Sequence, residues 1–256
     1  MNRVLAFTER NIKEMLRDVL SYIFCLGFPI VMLVVMTLVN ESLPAEAGMT
    51  IFRIDNLAGG IAVFGQTFVM LFTALSVSKD RSGAFLTRMY ASPMRSSDFV
   101  LGYILPMLVI AVVQCLITYA ASLIISLISD VELSIPGLLV SVVTLIPSAV
   151  MFIGLGLLFG TLFSEKAAPG LCSIVISLGS FLGGIWFDAE ATGGVMLKLC
   201  KVLPFWYCTK TARSSMALEF GFDEFVMPLI IVTIIAAAVA VISAAVFRMK
   251  MRADLR

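Results

Sequence analysis

Long apolar runs alternate with short charged stretches along this 256-residue chain. No charged side chain falls between Asp18 and Glu41, Asp55 and Lys79, Asp98 and Asp130, Glu132 and Glu165, Lys166 and Asp188, or Glu224 and Arg248. Each gap holds a helix of about 20 residues, the length that crosses a hydrocarbon core of roughly 30 Å. Lipid admits only helices or closed barrels, and continuous runs without strict alternation exclude the barrel. The pattern predicts an all-α polytopic membrane protein made of one transmembrane domain, with six spans near 19–40, 57–78, 99–128, 137–163, 167–187 and 225–247. Pro106, Pro136 and Pro147 predict bends or interfacial segments in the two longer runs.

Two polar segments break the apolar pattern. Residues 1–18 place Leu5, Ile12, Met15 and Leu16 on one helical face and Arg3, Arg10, Lys13, Glu14 and Arg17 on the other. That is the signature of an amphipathic interfacial helix. Phe7 falls on its polar side, which suggests a protein contact. The second segment, Lys79 to Asp98, is a charged insert between two spans. Phe85, Leu86, Met89 and Tyr90 share one face of a short helix there, with Arg81 and Arg88 behind them and Pro93 ending it. Such a face must be buried in lipid headgroups or in a partner.

Composition agrees with the membrane reading: the chain is 60% hydrophobic and 14% charged, with a mean hydropathy of +1.05, far from soluble proteins at about a quarter charged. Lys and Arg concentrate before the first span, in the insert, at Lys166 and in the tail from Arg248 to Arg256. Cytoplasmic loops carry that excess, so both termini are expected inside the cell in a multi-pass plasma-membrane protein. Residues 188–224 then form the one sizeable extracytoplasmic loop, with Pro204, Trp206, Tyr207, Lys210 and Arg213, and its second half is expected to form short helices at the membrane surface. A net charge of +1 gives no support to nucleic-acid binding. Cys25, Cys115 and Cys172 lie in spans; Cys200 and Cys208 face the oxidising side, where a disulfide is an open alternative. Gly154, Gly156 and Gly160, and again Gly179, Gly183 and Gly184, predict close helix packing.

The missing chemistry narrows function further. Ion-coupled carriers normally set ionisable groups inside their spans, and these spans have none; the chain has no His at all. There is no G-x-S-x-G, no C-x-x-C and no acidic pair for an intramembrane enzyme. No G-x-x-x-x-G-K-[ST] phosphate loop occurs, so the chain is not itself an ATPase. Uphill transport would draw its energy from a separate subunit. A non-transporting membrane scaffold or regulator, or an ion-coupled carrier or channel, are the competing readings.

The stretch Gly83-Ala-Phe-Leu-Thr-Arg-Met-Tyr-Ala-Ser-Pro93, followed by Leu101-Gly-Tyr-Ile-Leu-Pro106, resembles the membrane subunits of ATP-binding-cassette exporters of the type-2 class. Gly184-Ile-Trp-Phe-Asp188 and Leu203-Pro-Phe-Trp-Tyr207 match a second part of the pattern. The resemblance covers nearly the whole chain, although the acidic character often found early in the motif is reduced to Asp80. It implies that the insert is a cytoplasmic coupling helix seated in an ATPase subunit, with Gly83, Phe85, Leu86, Arg88, Met89, Tyr90, Ser92 and Pro93 as docking residues, and that residues 1–18 form an elbow beside it. It also implies two permease subunits, identical or not, with two ATPases that hold the ATP and Mg, so that this chain binds no cofactor. Thr37, Gln66, Thr67, Phe181, Trp186, Pro204, Trp206 and Tyr207 are candidates for a translocation path or gate. An uncharged path favours lipophilic or amphipathic cargo such as a drug, peptide or lipid.

Overall fold

The computed structural model describes residues 2–19, 23–43, 50–83, 85–86, 94–129 and 131–254, and every regular element among them is helical. The amphipathic amino-terminal segment forms α1 (Asn2–Met15). A π-helical turn, Ile23–Gly27, leads into α2 (Phe28–Ser42). Then come α3 (Ile54–Ser82) and α4 (Ser96–Ile128). The fourth apolar run divides into α5 (Ile135–Thr144) and α6 (Ile146–Leu162), and α7 is Ala168–Leu182. Three shorter helices follow, α8 (Ala189–Thr192), α9 (Gly194–Val202) and α10 (Pro204–Met216). A second π-helical turn, Phe222–Val226, precedes α11 (Met227–Asp254).

Among the described residues, five helical stretches are long and apolar enough to cross a membrane: Ile23–Ser42, Ile54–Ser82, Ser96–Ile128, Ile135–Leu162 and Phe222–Met251. The expected fifth span appears as α7, whose 15 residues rise about 22 Å, less than a hydrocarbon core of about 30 Å. Gly183 and Gly184 explain the early stop, because the chain leaves the helix at Gly183 and Gly184 takes a left-handed φ of 65°.

The prolines act differently from one another. Pro106 sits inside an unbroken α4. Pro136 occupies the first turn of α5, behind Ser134, whose hydroxyl accepts the Gly137 N–H at 3.2 Å. Pro147 lies in the first turn of α6, where its missing N–H is least costly, and the run breaks just before it at Leu145.

The third helix is the post around which the bundle is built. It is mostly buried, whereas α2 and α11 are covered along only one side and leave Val31, Val35 and Leu38, and Ile234, Val241 and Ile242, exposed. The glycines of α6 set the closest approach to α3. A Cβ on Gly156 would stand 2.3 Å from the Met70 carbonyl, and one on Gly160 2.6 Å from the Ala74 carbonyl. Backbones meet this closely where packing, not hydrophobicity, drives helix association.

One end of the bundle gathers α1, the last turns of α3 and α6 and the start of α4: the Arg81 guanidinium donates to the Thr161 carbonyl, and the Ser82 hydroxyl to Glu165 at 2.9 Å. Phe247 of α11 joins there against Phe99 and Tyr103. The opposite, far end is capped by α8 to α10. Of these, α10 is not a surface helix as expected: Phe205, Cys208, Ala212 and Met216 are buried, and a Cβ on Gly137 would meet the Met216 carbonyl at 2.0 Å. Its small and apolar side chains at helical spacing give the bundle a face to bind.

Candidate functional site

At the α1 end, three helices are tied together by one carboxylate. Asp80, only 5% exposed, accepts both Arg10 guanidinium nitrogens, Nη1 at 2.6 Å and Nη2 at 2.8 Å, and the Tyr103 hydroxyl at 2.6 Å. Arg10 comes from α1, Asp80 from the last turns of α3 and Tyr103 from α4. The same guanidinium lies over the Phe85 ring at 4.1 Å, which holds that side chain against α1. Glu14 adds a further ion pair to Arg10. Burial opposes the charge on Arg10, but Asp80 and Glu14 outweigh it and hold its pKa above the usual value.

An aromatic cluster underlies this ion pair. Phe7, 4% exposed, meets Phe99 and Tyr103 edge-on at 5.4 and 5.1 Å and lies parallel to Phe85 at 6.4 Å. Its ring occupies the space that Gly102 leaves open, since a Cβ there would stand 2.3 Å from Phe7 Cδ1. Asn11 completes the seam by donating to the Gly102 carbonyl at 2.9 Å. The position of Phe7 on the polar side of α1 is thereby accounted for: that side faces protein.

The docking candidates divide. Gly83 ends α3, its N–H bonded to the Lys79 carbonyl. Leu86 is 1% exposed and Phe85 is half-buried, and both pack into the chain's own cluster. The reason is Phe7 and the Arg10 guanidinium, which supply the cover expected from lipid or a second protein. Arg88, Met89, Tyr90, Ser92 and Pro93 lie outside the described residues.

The path candidates are also dispersed. Gln66 is buried at the α5–α6 break, donating to the Leu145 carbonyl at 3.2 Å and accepting from the Ser148 hydroxyl. A polar side chain so deep in an apolar bundle must be satisfied internally, and here it stitches α3 to the break. Thr67 and Thr37 donate to carbonyls of their own helices, those of Phe64 and Leu33. Trp186 stands edge-on to Phe64 at 5.3 Å. Phe181 is half-exposed beside Phe187. Pro204 opens α10, and Trp206 and Tyr207 meet edge-on at 5.0 Å in its first turn.

The far end carries a cluster that sequence reasoning noted only as loop charges. Lys210 pairs with Glu190 of α8 and with Glu224, each at 2.7 Å, and lies 4.9 Å from the Trp206 ring. Burial lowers the pKa of Lys210, but the two carboxylates more than offset it, and the net direction is upward. Arg213 donates from Nε to the Asn56 carbonyl at 3.0 Å and from Nη2 to the Gly184 carbonyl at 2.9 Å, joining α10 to the start of α3 and the end of α7. Burial depresses its pKa to about 10, partly opposed by Asp188 and Glu190, and it stays a cation at neutral pH. These residues line a polar cavity of about 390 Å³. Cys200 and Cys208 remain separate buried thiols, so the open disulfide is not formed. Burial raises both thiol pKa values.

An all-helical bundle with several membrane-length helices and an amphipathic helix clasped to its side defines the class, a multi-pass membrane protein. A family model described as ABC-2 type transporter matches residues 2–217, and the chain belongs to that family. It is thus a permease component of a transporter and not itself the ATPase; members generally work with an ABC ATPase and often dimerise. No curated protein matches the chain.

Proposed function

We propose that this chain is the transmembrane subunit of an ATP-driven exporter that moves a lipophilic or amphipathic compound out of the cell. A separate ATPase, which carries the ATP and Mg, docks at the insert from Lys79 to Asp98 on the cytoplasmic side, with both termini on that side of the plasma membrane. The observation that carries this reading is the Arg10–Asp80–Tyr103 junction under Phe85. A push on the insert passes through Phe85 and Leu86 to α1, α3 and α4 together, because packed cores shift as units. Phe85 and Leu86 act as the inner root of the coupling helix, and Met89 and Tyr90 as its partner-facing side.

Six crossings complete the topology, with α7 and the turns at 183–187 making the fifth: residue 165 meets Ser82 at the α1 end and Gly184 meets Arg213 at the far end. The exposed apolar sides of α2 and α11 suit a second permease subunit and lipid. The path runs where two such chains meet, with Phe181, Trp186, Pro204, Trp206 and Tyr207 at its outer mouth and Thr37, Gln66 and Thr67 in the wall behind.

The test is ATPase activity of the reconstituted complex. Tyr90→Asp is expected to abolish stimulated hydrolysis while the chain still inserts, and Asp80→Asn to leave the ATPase bound yet uncoupled from transport. Normal coupling in both variants would overturn the docking assignment. Purification in mild detergent that never recovers an ATPase would favour the scaffold.

A further inference from the structure

Beneath α1, three recesses lie side by side and share lining residues. The innermost is an almost wholly apolar slot of about 210 Å³ between α1, the π-helical turn, α3 and α4, walled by Met15, Cys25, Val69, Phe72 and Met107. It is roomier than the ~150 Å³ apolar cavity that admits a benzene ring. A second recess shares Met15, Phe72 and Met107 with the slot, and shares Glu14, Asp18 and Lys79 with a third, charged recess. The charged recess holds the cations Arg10, Lys13, Arg17 and Lys79 against the carboxylates Glu9, Glu14 and Asp18. Lys13 pairs with Glu9, Arg10 with Asp80 and Glu14, and Lys79 with Glu14. Arg17 alone of these cations has no ion pair among the described residues.

We infer that these adjoining recesses together are a binding site for one resident anionic phospholipid, its acyl chain in the slot and its phosphate on Arg17. The shape is that of an amphiphile: apolar at one end, charged at the other, with one unpaired cation at the charged end. The amphipathic face of α1 supplies Ile12, Met15 and Leu16 to the slot, and helices of this kind lie where headgroup and acyl chain join. The wide π-helical turn contributes too, since Cys25 and Leu26 on it form one wall where a tighter helix entry would carry them elsewhere. The lipid would fill a seam between α1 and the bundle that the described residues leave open.

The experiment is native mass spectrometry of the full-length protein, with its ATPase, after mild delipidation and re-exposure to phosphatidylglycerol or phosphatidylcholine. Wild type is expected to retain one phosphatidylglycerol per chain. Val113→Trp and Val109→Trp fill the rim of the slot from half-exposed positions that tolerate bulk. Each is expected to cut retention roughly ten-fold, the worth of about two buried methylenes. Arg17→Gln is expected to leave the slot occupied but remove a preference of about five-fold for the anionic lipid, the worth of one basic side chain at an anionic headgroup. Equal retention in wild type and both tryptophan variants would overturn the site, and an unchanged preference in Arg17→Gln would overturn the phosphate contact. Release of the lipid during ATP turnover would identify it as cargo and overturn its residence.

Discussion

Replacing Asp80 by Asn removes the charge that joins α1, α3 and α4 while keeping the side chain's shape. The carboxylate accepts three hydrogen bonds, two from Arg10 and one from Tyr103, and bonds to charged groups are worth about 1.5–3 kcal/mol each. Breaking a buried pair by removing one partner costs about 3–5 kcal/mol. Arg10 is 32% exposed, so water recovers part of its solvation and screening trims the loss to about 2–3 kcal/mol. For a chain of this size that corresponds to a fall of roughly 4–12 °C in unfolding midpoint, measured by thermal unfolding in detergent micelles. A double-mutant cycle with Arg10→Gln isolates the pair, with an expected coupling of about 1–2 kcal/mol. Lys13→Gln, which breaks only the exposed pair with Glu9, serves as the control and leaves the midpoint unchanged. Additive effects of Asp80→Asn and Arg10→Gln, or a midpoint in Asp80→Asn equal to wild type, would refute the claim that this ion pair holds α1 to the bundle.

Gly156→Ala places a methyl 2.3 Å from the Met70 carbonyl; forcing α3 and α6 apart is expected to cost about 1–3 kcal/mol in the same unfolding assay. Arg213→Lys has no planar fork to reach both the Asn56 and Gly184 carbonyls and is expected to lose about 1–3 kcal/mol; full stability would show that one of those bonds is dispensable. Lys210→Gln opens the far-end cap, which an impermeant maleimide reports as faster labelling of the buried Cys208 thiol. Because the pKa of Lys210 is raised in the folded chain, its stabilisation is present below the unfolded value of about 10.4 and is lost as pH climbs through the folded value. The stability gap between wild type and Lys210→Gln therefore stays level up to about pH 10 and closes above it.

The helical membrane architecture was legible because charge-free gaps of span length are a one-dimensional signal. Expected spans at 57–78 and 99–128 lie within α3 and α4, whose helices run on at their ends through Asp55, Lys79 and Asp98. The fifth span fell short because Gly183 and Gly184 end α7, and composition does not say where an apolar run leaves its helix. Phe7 was visible as an exception to the amphipathic pattern, but its partner Gly102 is an ordinary glycine in a long apolar run. Asp80 and Arg10 are separated by 69 residues, and pairing at that distance leaves no local trace. Arg213 was legible as a loop cation; its reach to the backbone of α3 and α7 exists only once α10 folds into the bundle. Tyr103 was part of the quoted Leu101-Gly-Tyr motif, yet its hydroxyl gains meaning only from the carboxylate it meets.

The most buried of the five membrane-length helices, α3, is also the least apolar, with Gly59, Gly60, Gly65, Gln66 and Thr67 along it. A helix of that kind gains more from protein neighbours than from lipid alone, because its glycines and polar side chains are served by close packing and internal hydrogen bonds. Its neighbours α2 and α4 are the more apolar ones, so α2 is expected to insert more readily, and α3 gains its cover only as later helices arrive. Biogenesis of this chain is expected to be a matter of waiting: the post of the finished bundle is the last part to become comfortable in the membrane, and Gln66 finds its acceptor only after the α5–α6 break has been synthesised.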